Sequence, residues 1–598
     1  MSSTDPADPT APADLTALDP SEAAADLPLR TQARLAVERA WARAIETGTL
    51  PPLALADAGS RPDAGSRPDV QIERPADPLR GDFASNLAMK LARPYRMAPL
   101  AIASALVAEL QREIADNPES TPIASAEAAA PGFLILRLAD HALEATIAGI
   151  LAEPAAWGRV AATRPRSVNV EFVSANPTGP LHVGNARGAF IGDLLSRVLE
   201  AGGQRVTREY YFNDVGGQIP NLGASIAALR RGEEVPDDGY HGDYVPELAA
   251  TVPDDVWAEA TTPGIDTNGI LGHWAALRVR RGIEESLARL GVRFDVWTTE
   301  ASLHEGGWVD RAIERLRAGG HVYEQDGATW FRSTAFGDDK DRVIIRSNGE
   351  PTYFAADIGY VTEKLSRGFD HLIYIWGADH HGTVARVRTA AEAMGYDRES
   401  VQVLLYSWVR FVRDGQEVSM SKRAGEFITL DELLAEVGVD AARWFFASRG
   451  ATSEIDFDIE LAKKQSNENP VYYVQYAHAR IASILRKGAE AGLVPGTSAG
   501  VAGAAAAGVA GAPEASLARA VARFPEIVED AVAAEETQGI TAYATELATI
   551  FHGFYRDARV VDPDEPARSA ARLALADATR ITLANALALL GISAPDSM

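Results

Sequence analysis

The stretch Val168 to Asp193, VNVEFVSANPTGPLHVGNARGAFIGD, constrains this chain more than any other. Its first residues alternate, Val168, Val170 and Phe172 against Asn169 and Glu171, which is the period of a strand. Pro177 then removes a ladder donor, and Gly179-Pro180 prolongs the break into a turn. From His182 the apolar spacing becomes helical, through Ala186, Ala189, Ile191, Leu194 and Leu195. Strand, glycine-bearing turn and helix start together make an anion site, because unpaired N–H groups and the helix dipole face outward there. Many α/β domains have such a turn, so alone it names no chemistry. The polar set around it, Glu171, Asn176, His182 and Asn185, sharpens the signal, since a core has no need of these side chains.

A chain of 598 residues is long enough for several domains and a large core. Its formal net charge of −26 argues against a generic nucleic-acid coat, though not against a local basic groove on an acidic body. The absence of cysteine excludes disulfides, thiolate catalysis and cysteine zinc sites. There is no apolar run of membrane-spanning length and no basic-then-apolar leader, so the cytoplasm is the expected compartment and no membrane partner is expected.

Residues 1–28 are Ala, Asp, Pro, Ser and Thr with few large apolar groups, a composition that predicts a disordered tail. Residues 29–150 predict a small α+β domain: a helix from near Thr31, helices over Leu87–Leu91 and Pro99–Ile114, and a strand over Phe133–Leu138. Within it a tandem hexapeptide, Asp57–Pro62 and Asp63–Pro68, has the character of a solvated loop. From 151 to 465 strands and helices alternate, as a parallel sheet with crossover helices requires. Strands are expected at 168–174, 205–212, 342–346, 371–376 and 402–407, with helices near 184–201, 272–290, 306–319, 357–367, 381–394 and 430–436. The stretch 213–340, irregular over Pro236–Thr267, is expected to be an insertion splitting that fold. Residues 466–598 predict an all-helical domain, with a Gly/Ala linker over Pro495–Ala512. Tyr472, Tyr473 and Tyr476 with Arg480 and Arg486 suit base stacking and phosphate pairing, and equally well helix packing.

A second polar segment follows the strand at 402–407: Val418-Ser-Met-Ser-Lys-Arg-Ala-Gly425. A basic loop at the carboxyl edge of a parallel sheet is placed to reach phosphates bound at a switch point. In this order on a split α/β fold, the two segments resemble the HIGH and KMSKS elements of class I aminoacyl-tRNA synthetases. The likeness narrows with Glu171–Gly188, Tyr210–Ile219, Pro351–Tyr360, Gly377–Gly382, Asp440–Phe446 and Tyr472–Arg480, which are similar to blocks of the arginyl-tRNA synthetases and come in that family's order. Gly81–Leu91 resembles part of the family's N-terminal domain.

The resemblance implies a split Rossmann-type catalytic domain between an N-terminal α+β domain that contacts tRNA and a C-terminal all-helical anticodon-binding domain. It implies ATP and L-arginine as substrates, Mg2+ with the ATP, tRNA(Arg) as partner, and a monomer. Catalysis would fall to His182, Gly184, Asn185 and Lys422, and ATP contacts to these with Met420, Ser421 and Arg423. By matching positions, Asn176, Glu300, Tyr353, Asp357 and His380 would bind arginine, and Tyr472, Tyr476 and Arg480 the tRNA. Carboxylates suit that task because a guanidinium is a planar fork of donors without an acceptor. Two positions depart from the pattern: Asn185 replaces the second histidine of HIGH, and Ser419 the first lysine of KMSKS. Asn185 keeps a hydrogen-bond donor but not a titratable one. Asp379-His380-His381 is not expected to hold a metal, because consecutive side chains splay apart and no third ligand is evident. The competing expectations are another class I synthetase, or a non-catalytic paralogue that binds arginine or tRNA.

Overall fold

A computed structural model describes residues 27–53, 68–418, 428–496 and 513–598. Nearly all of the tail at 1–28, the hexapeptide repeat and the linker lie outside the described residues, as does the basic segment from Ser419 to Gly425. The chain divides into two compact units, residues up to Val160 with Ile481–Glu526 and Thr549–Thr582, and Ala161–Arg480 with Ile527–Ala548 and Leu583–Met598.

In the first unit the helix Leu29–Glu46 turns Ala33, Val37, Ala40, Trp41 and Ala44 inward. The helix Pro99–Asp116 begins with proline, where the missing N–H costs nothing, and buries Ile102, Leu106 and Leu110. Strands β1 (Phe83–Ser85), β2 (Ile123–Ala129) and β3 (Phe133–Leu138) form an antiparallel sheet in the order β1-β3-β2. Helical segments from the C-terminal part are laced to this layer by charge pairs. Arg74 grips Glu526 with two hydrogen bonds of 2.7 Å, and Arg519 reaches Asp82 at 2.7 Å.

The second unit is built on a five-stranded parallel sheet. Its strands are β4 (Ser167–Glu171), β5 (Arg205–Phe212), β6 (Val296–Thr299), β10 (His371–Gly377) and β11 (Val401–Tyr406), in the order β11-β10-β4-β5-β6. The chain leaves β4 for β5 on one side and later returns to β10 on the other. The crevice beyond β4 and β10 is therefore the switch point at which such sheets bind ligands. Two of the expected strands are corrected. The strand at 342–346 is not part of the parallel sheet; β9 (Arg342–Ile345) closes a small antiparallel sheet with β7 (Val322–Gln325) and β8 (Ala328–Phe331). The strand at 168–174 stops at Glu171, because Val173 and Ser174 take left-handed backbone angles (φ 67° and 40°) and leave the ladder.

Between β5 and β6 the stretch whose sequence reads as irregular contains helices Gln218–Arg231, Tyr244–Thr251, Asp254–Ala260 and Thr267–Leu290. The first and last of these lie very close, since a Cβ on Gly223 would meet the Asn268 carbonyl at 1.9 Å and one on Gly272 the Ile219 carbonyl at 2.1 Å. A third small sheet, β12 (Val409–Arg413), β13 (Gln416–Glu417) and β14 (Ile455–Asp458), has the order β13-β12-β14.

Candidate active site

The helix Val183–Ala201 starts with His182 as its cap, and Nδ1 of His182 accepts the Gly184 N–H at 3.1 Å. Gly184 must be small, because a Cβ there would stand 2.9 Å from the imidazole. The N–H groups of Asn185 and Ala186 donate to the His182 carbonyl at 2.9 and 3.2 Å. Met420, Ser421, Lys422 and Arg423 lie outside the described residues, but the chain returning from them is fixed to this helix start. Val183 N–H donates to the Ile428 carbonyl (3.0 Å), and Leu430 N–H to that of Leu181 (2.9 Å).

Between β4 and the helix, the left-handed Val173 and Ser174 are costly positions for L residues, above all for a β-branched one. Hydroxyls hold them in place. Ser174 donates to Glu171 Oε1 at 3.2 Å and accepts the Tyr211 N–H at 3.1 Å; Tyr210 donates to the Ala175 carbonyl at 2.9 Å, and Tyr244 to that of Thr178 at 2.5 Å. The effect is to present Asn176 to solvent at the mouth of the crevice.

Two distant carboxylates meet beside this turn. Glu300 opens the helix Glu300–Glu305 directly after β6, capped by Thr299, and is buried. Asp357 stands one turn into the helix Tyr353–Ser366 and is half-buried. Burial, with Glu300 and Glu171 nearby, pushes Asp357 up to about 7, against the pull of Arg386. Glu300 is also raised by burial, while a hydrogen bond from the Tyr211 hydroxyl favours its charged form. Its nearest basic group is His304, with Nε2 4.0 Å away. Tyr353 lies on the face of Asp357 and is 64% exposed, near Gly216.

Behind the pair lies a fully partnered set of charges. Lys364, wholly buried, donates to Glu171 Oε2 at 2.5 Å, with the rings of Tyr360 and Tyr374 at 4.4 and 4.2 Å. Glu209, also wholly buried, accepts from Asn169, Thr298, Tyr360 and Arg367 at 2.6 to 2.8 Å. Residue types alone do not single out Tyr211, Lys364 or Glu209. The roles of Tyr211 and Glu209 depend on β5 pairing with β6, and that of Lys364 on the helix Tyr353–Ser366 meeting the end of β4, none of which a local pattern encodes.

His380 sits on the exposed turn Ala378–Thr383 after β10, 3.7 Å from Asp379 and with its ring 6.0 Å from that of Trp376. No group of three or more His, Cys, Asp or Glu side chains able to hold a metal occurs among the described residues. Tyr472, Tyr476 and Arg480 stand apart from these residues in the chain, on the helix Pro470–Glu490. The two rings stack at 6.3 Å, and Arg480 donates to the Tyr476 hydroxyl at 2.6 Å while lying over its ring.

Comparison with known proteins decides among the families. Residues 146–236 and 274–452 match the family described as class I (R) tRNA synthetases, catalytic domain; 53–138 match the arginyl tRNA synthetase N terminal domain, and 474–598 the DALR anticodon binding domain. The arginine–tRNA ligase of Bacillus licheniformis is 43% identical over 535 residues, 88% of this chain and 94% of that protein. The chain belongs to the arginyl-tRNA synthetase family. A Geobacter arginine–tRNA ligase is 45% identical over 539 residues, again 88% of this chain and 95% of the relative. The solved Thermus thermophilus arginyl-tRNA synthetase shares the fold, with TM-score 0.70 and 24% identity, covering 94% of this chain and 100% of its own.

Proposed function

We propose that the residues gathered around the switch point carry out this enzyme's activity, the ATP-dependent charging of tRNA with arginine, in the following roles. The arginine carboxylate attacks the α-phosphorus of ATP and displaces pyrophosphate. A hydroxyl of the terminal ribose of tRNA(Arg) then attacks the adenylate carbonyl and releases AMP. Neither step needs a nucleophilic side chain, so catalysis is positioning and charge stabilisation. His182, the N–H groups about Gly184, and Asn185 receive phosphate oxygens at the helix start, and Met420, Ser421, Lys422 and Arg423 add further contacts to ATP. Glu300, Asp357 and Tyr353 face the guanidinium, Asn176 the α-amino group, and His380 contacts adenosine or arginine. Mg2+ arrives with ATP, held by phosphates and water, which suits a site whose described residues offer no cluster of three metal ligands. Residues 29–150 contact the tRNA and 466–598 bind its anticodon, where Tyr472, Tyr476 and Arg480 offer stacking and pairing groups. The resemblance also supports a cytoplasmic monomer, and no described helix is long and apolar enough to cross a membrane.

The observation that carries the arginine pocket is the meeting of Glu300 and Asp357, both pushed up and neither paired to a lysine or arginine among the described residues. Such a pair is completed by a ligand cation. ATP–pyrophosphate exchange with each amino acid, with and without tRNA, tests it. Exchange with arginine alone is expected, and comparable exchange with lysine would overturn the pocket. Lys422→Ala is expected to lose exchange by about a hundred-fold or more, on the order of one lost transition-state donor, with arginine affinity kept.

A further inference from the structure

Arg187 lies five residues beyond His182 and is 1% exposed, yet no carboxylate pairs with it among the described residues. Its guanidinium donates only to backbone carbonyls: Nη1 to Ser407 and Trp408 (3.2 Å to the latter), and Nη2 to Gly450 (3.0 Å) and Ser453 (2.6 Å). Its Nε is buried without an acceptor. Burial lowers its pKa to about 10. A buried cation without a counter-ion is expensive, and an apolar side chain could fill the same volume at less cost. Fold stability therefore does not account for the charge.

The four carbonyls share a location. Ser407 and Trp408 join β11 to β12, and Gly450 and Ser453 lie in the turn that leads into β14, the parallel neighbour of β12. One rigid fork thus fixes the entry of both strands against the helix that begins at His182. The next residue is also part of the seam. A Cβ on Gly188 would stand 3.1 Å from Cε1 of Tyr406, the last residue of β11, and the Tyr406 hydroxyl reaches the Gly184 carbonyl at 3.5 Å. Past β13 the chain runs to Val418, whose N–H donates to Phe411, and it returns at Ile428 onto Val183.

We propose that Arg187 is a positioning residue for adenylate formation: it sets the spacing between the helix start bearing His182 and Gly184 and the small sheet β12–β14. The inference rests on the phosphate site proposed at that helix start. A misplacement of about 1 Å costs on the order of a hundred-fold in rate. Arg187→Lys keeps the charge but cannot fork onto two segments, so its adenylation rate constant should fall by roughly that factor, with arginine affinity unchanged within about two-fold. Gly188→Ala puts a better helix former inside the helix Val183–Ala201 and should fold. Its methyl group presses on Tyr406 and should slow adenylation several-fold, again at unchanged arginine affinity.

The test is rapid-quench adenylate formation by the full chain with tRNA, read as a rate constant per titrated site, beside calorimetric arginine affinity. Unfolded molecules then reduce the amplitude and not the rate constant. A wild-type rate constant in Arg187→Lys overturns the proposal, as does arginine affinity lost in proportion to rate. If Arg187→Lys does not fold, a wild-type rate constant in Gly188→Ala overturns it. His182→Ala separates the two levels. Full activity there removes the phosphate site and this inference with it. Its loss, beside intact Arg187 and Gly188 variants, removes the inference alone.

Discussion

Glu209 and Asp357 serve the same sheet edge, and their surroundings push them in opposite directions. Burial alone would raise Glu209, but Lys364, Arg367 and hydrogen bonds from Thr298 and Arg367 outweigh it and hold the carboxyl at about 2. Asp357 meets burial, Glu300 and Glu171 together, with only Arg386 opposing, and rises to about 7. On the arginine pocket proposed above, the difference lies in where the cation comes from. A structural acid folds with its counter-charge beside it, whereas an acid that binds a cationic substrate keeps that place open at a cost. Burial by itself therefore does not distinguish framework from pocket; the partners do.

The sharpest way to break the comparison is Asp357→Asn. Size and one acceptor remain while the charge goes, so kcat/KM for arginine should fall on the order of a thousand-fold, with the KM for ATP within about two-fold. The same change should stabilise the protein. A carboxyl raised in the fold contributes stability below its unfolded value that is lost as pH rises through about 7, so the wild type carries the penalty at about pH 8. The amide variant escapes it, and its melting temperature should exceed wild type at about pH 8 and match it near pH 4. An unchanged arginine dependence would place the guanidinium elsewhere.

Glu209→Gln attacks the other member. It leaves Arg367 facing a neutral amide, while Lys364 keeps Glu171, and breaking such a buried pair costs about 3 kcal/mol. Denaturant unfolding should show that loss, while arginine affinity of the folded protein stays within a few-fold. The depressed carboxyl stabilises above its unfolded value and loses that contribution as pH falls toward about 2, so the variant's deficit should shrink in acid. A loss of arginine affinity on the order of a thousand-fold at unchanged stability would make Glu209 a pocket residue and dissolve the distinction.

The two acids also differ in how far the sequence discloses them. The strand–turn–helix around His182 is visible locally, because alternation, Pro177 and Gly184 each act within a few residues. Periodicity predicts the helix carrying Asp357 from 357 onward, whereas it begins at Tyr353, where Thr352 caps it. β6 escapes a reading by pattern because four half-buried residues, Val-Trp-Thr-Thr, have no period long enough to recognise. Yet β6 is what brings Glu300 and Thr298 to Tyr211 and Glu209. The strand at 342–346 falls in a different sheet from the expected one for a related reason: alternation marks a strand and says nothing of its neighbour. Family likeness points to Glu300 and Asp357, whereas Lys364 and Glu209 emerge only from tertiary contact.

A smaller effect separates pocket from framework without mutation. With Asp357 near 7, the empty pocket loses a charge as pH falls, and a protonated carboxyl cannot pair with guanidinium. Arginine affinity should weaken by about five-fold from about pH 7 to pH 6. Calorimetry in buffers of different ionisation enthalpy should show proton release on arginine binding near neutral pH. Binding that is flat from about pH 6 to pH 8 would mean Asp357 is not the acceptor.

The smallest expected effect tests a donor that links the framework to the proposed pocket. Tyr211 stands on the same strand, β5, as Glu209, and its hydroxyl donates to Glu300. That bond lowers the carboxyl against the rise due to burial, so Tyr211→Phe should push Glu300 further up. A single hydrogen bond of this kind contributes about 1 kcal/mol, which sets the expected rise in arginine KM at about three- to five-fold near pH 7. The sign fixes the rest: losing the donor favours the protonated carboxyl, so the deficit should widen as pH falls and narrow as pH rises. A deficit independent of pH would assign Tyr211 to packing against Tyr360, whose ring lies 4.8 Å away, rather than to the charge of the pocket.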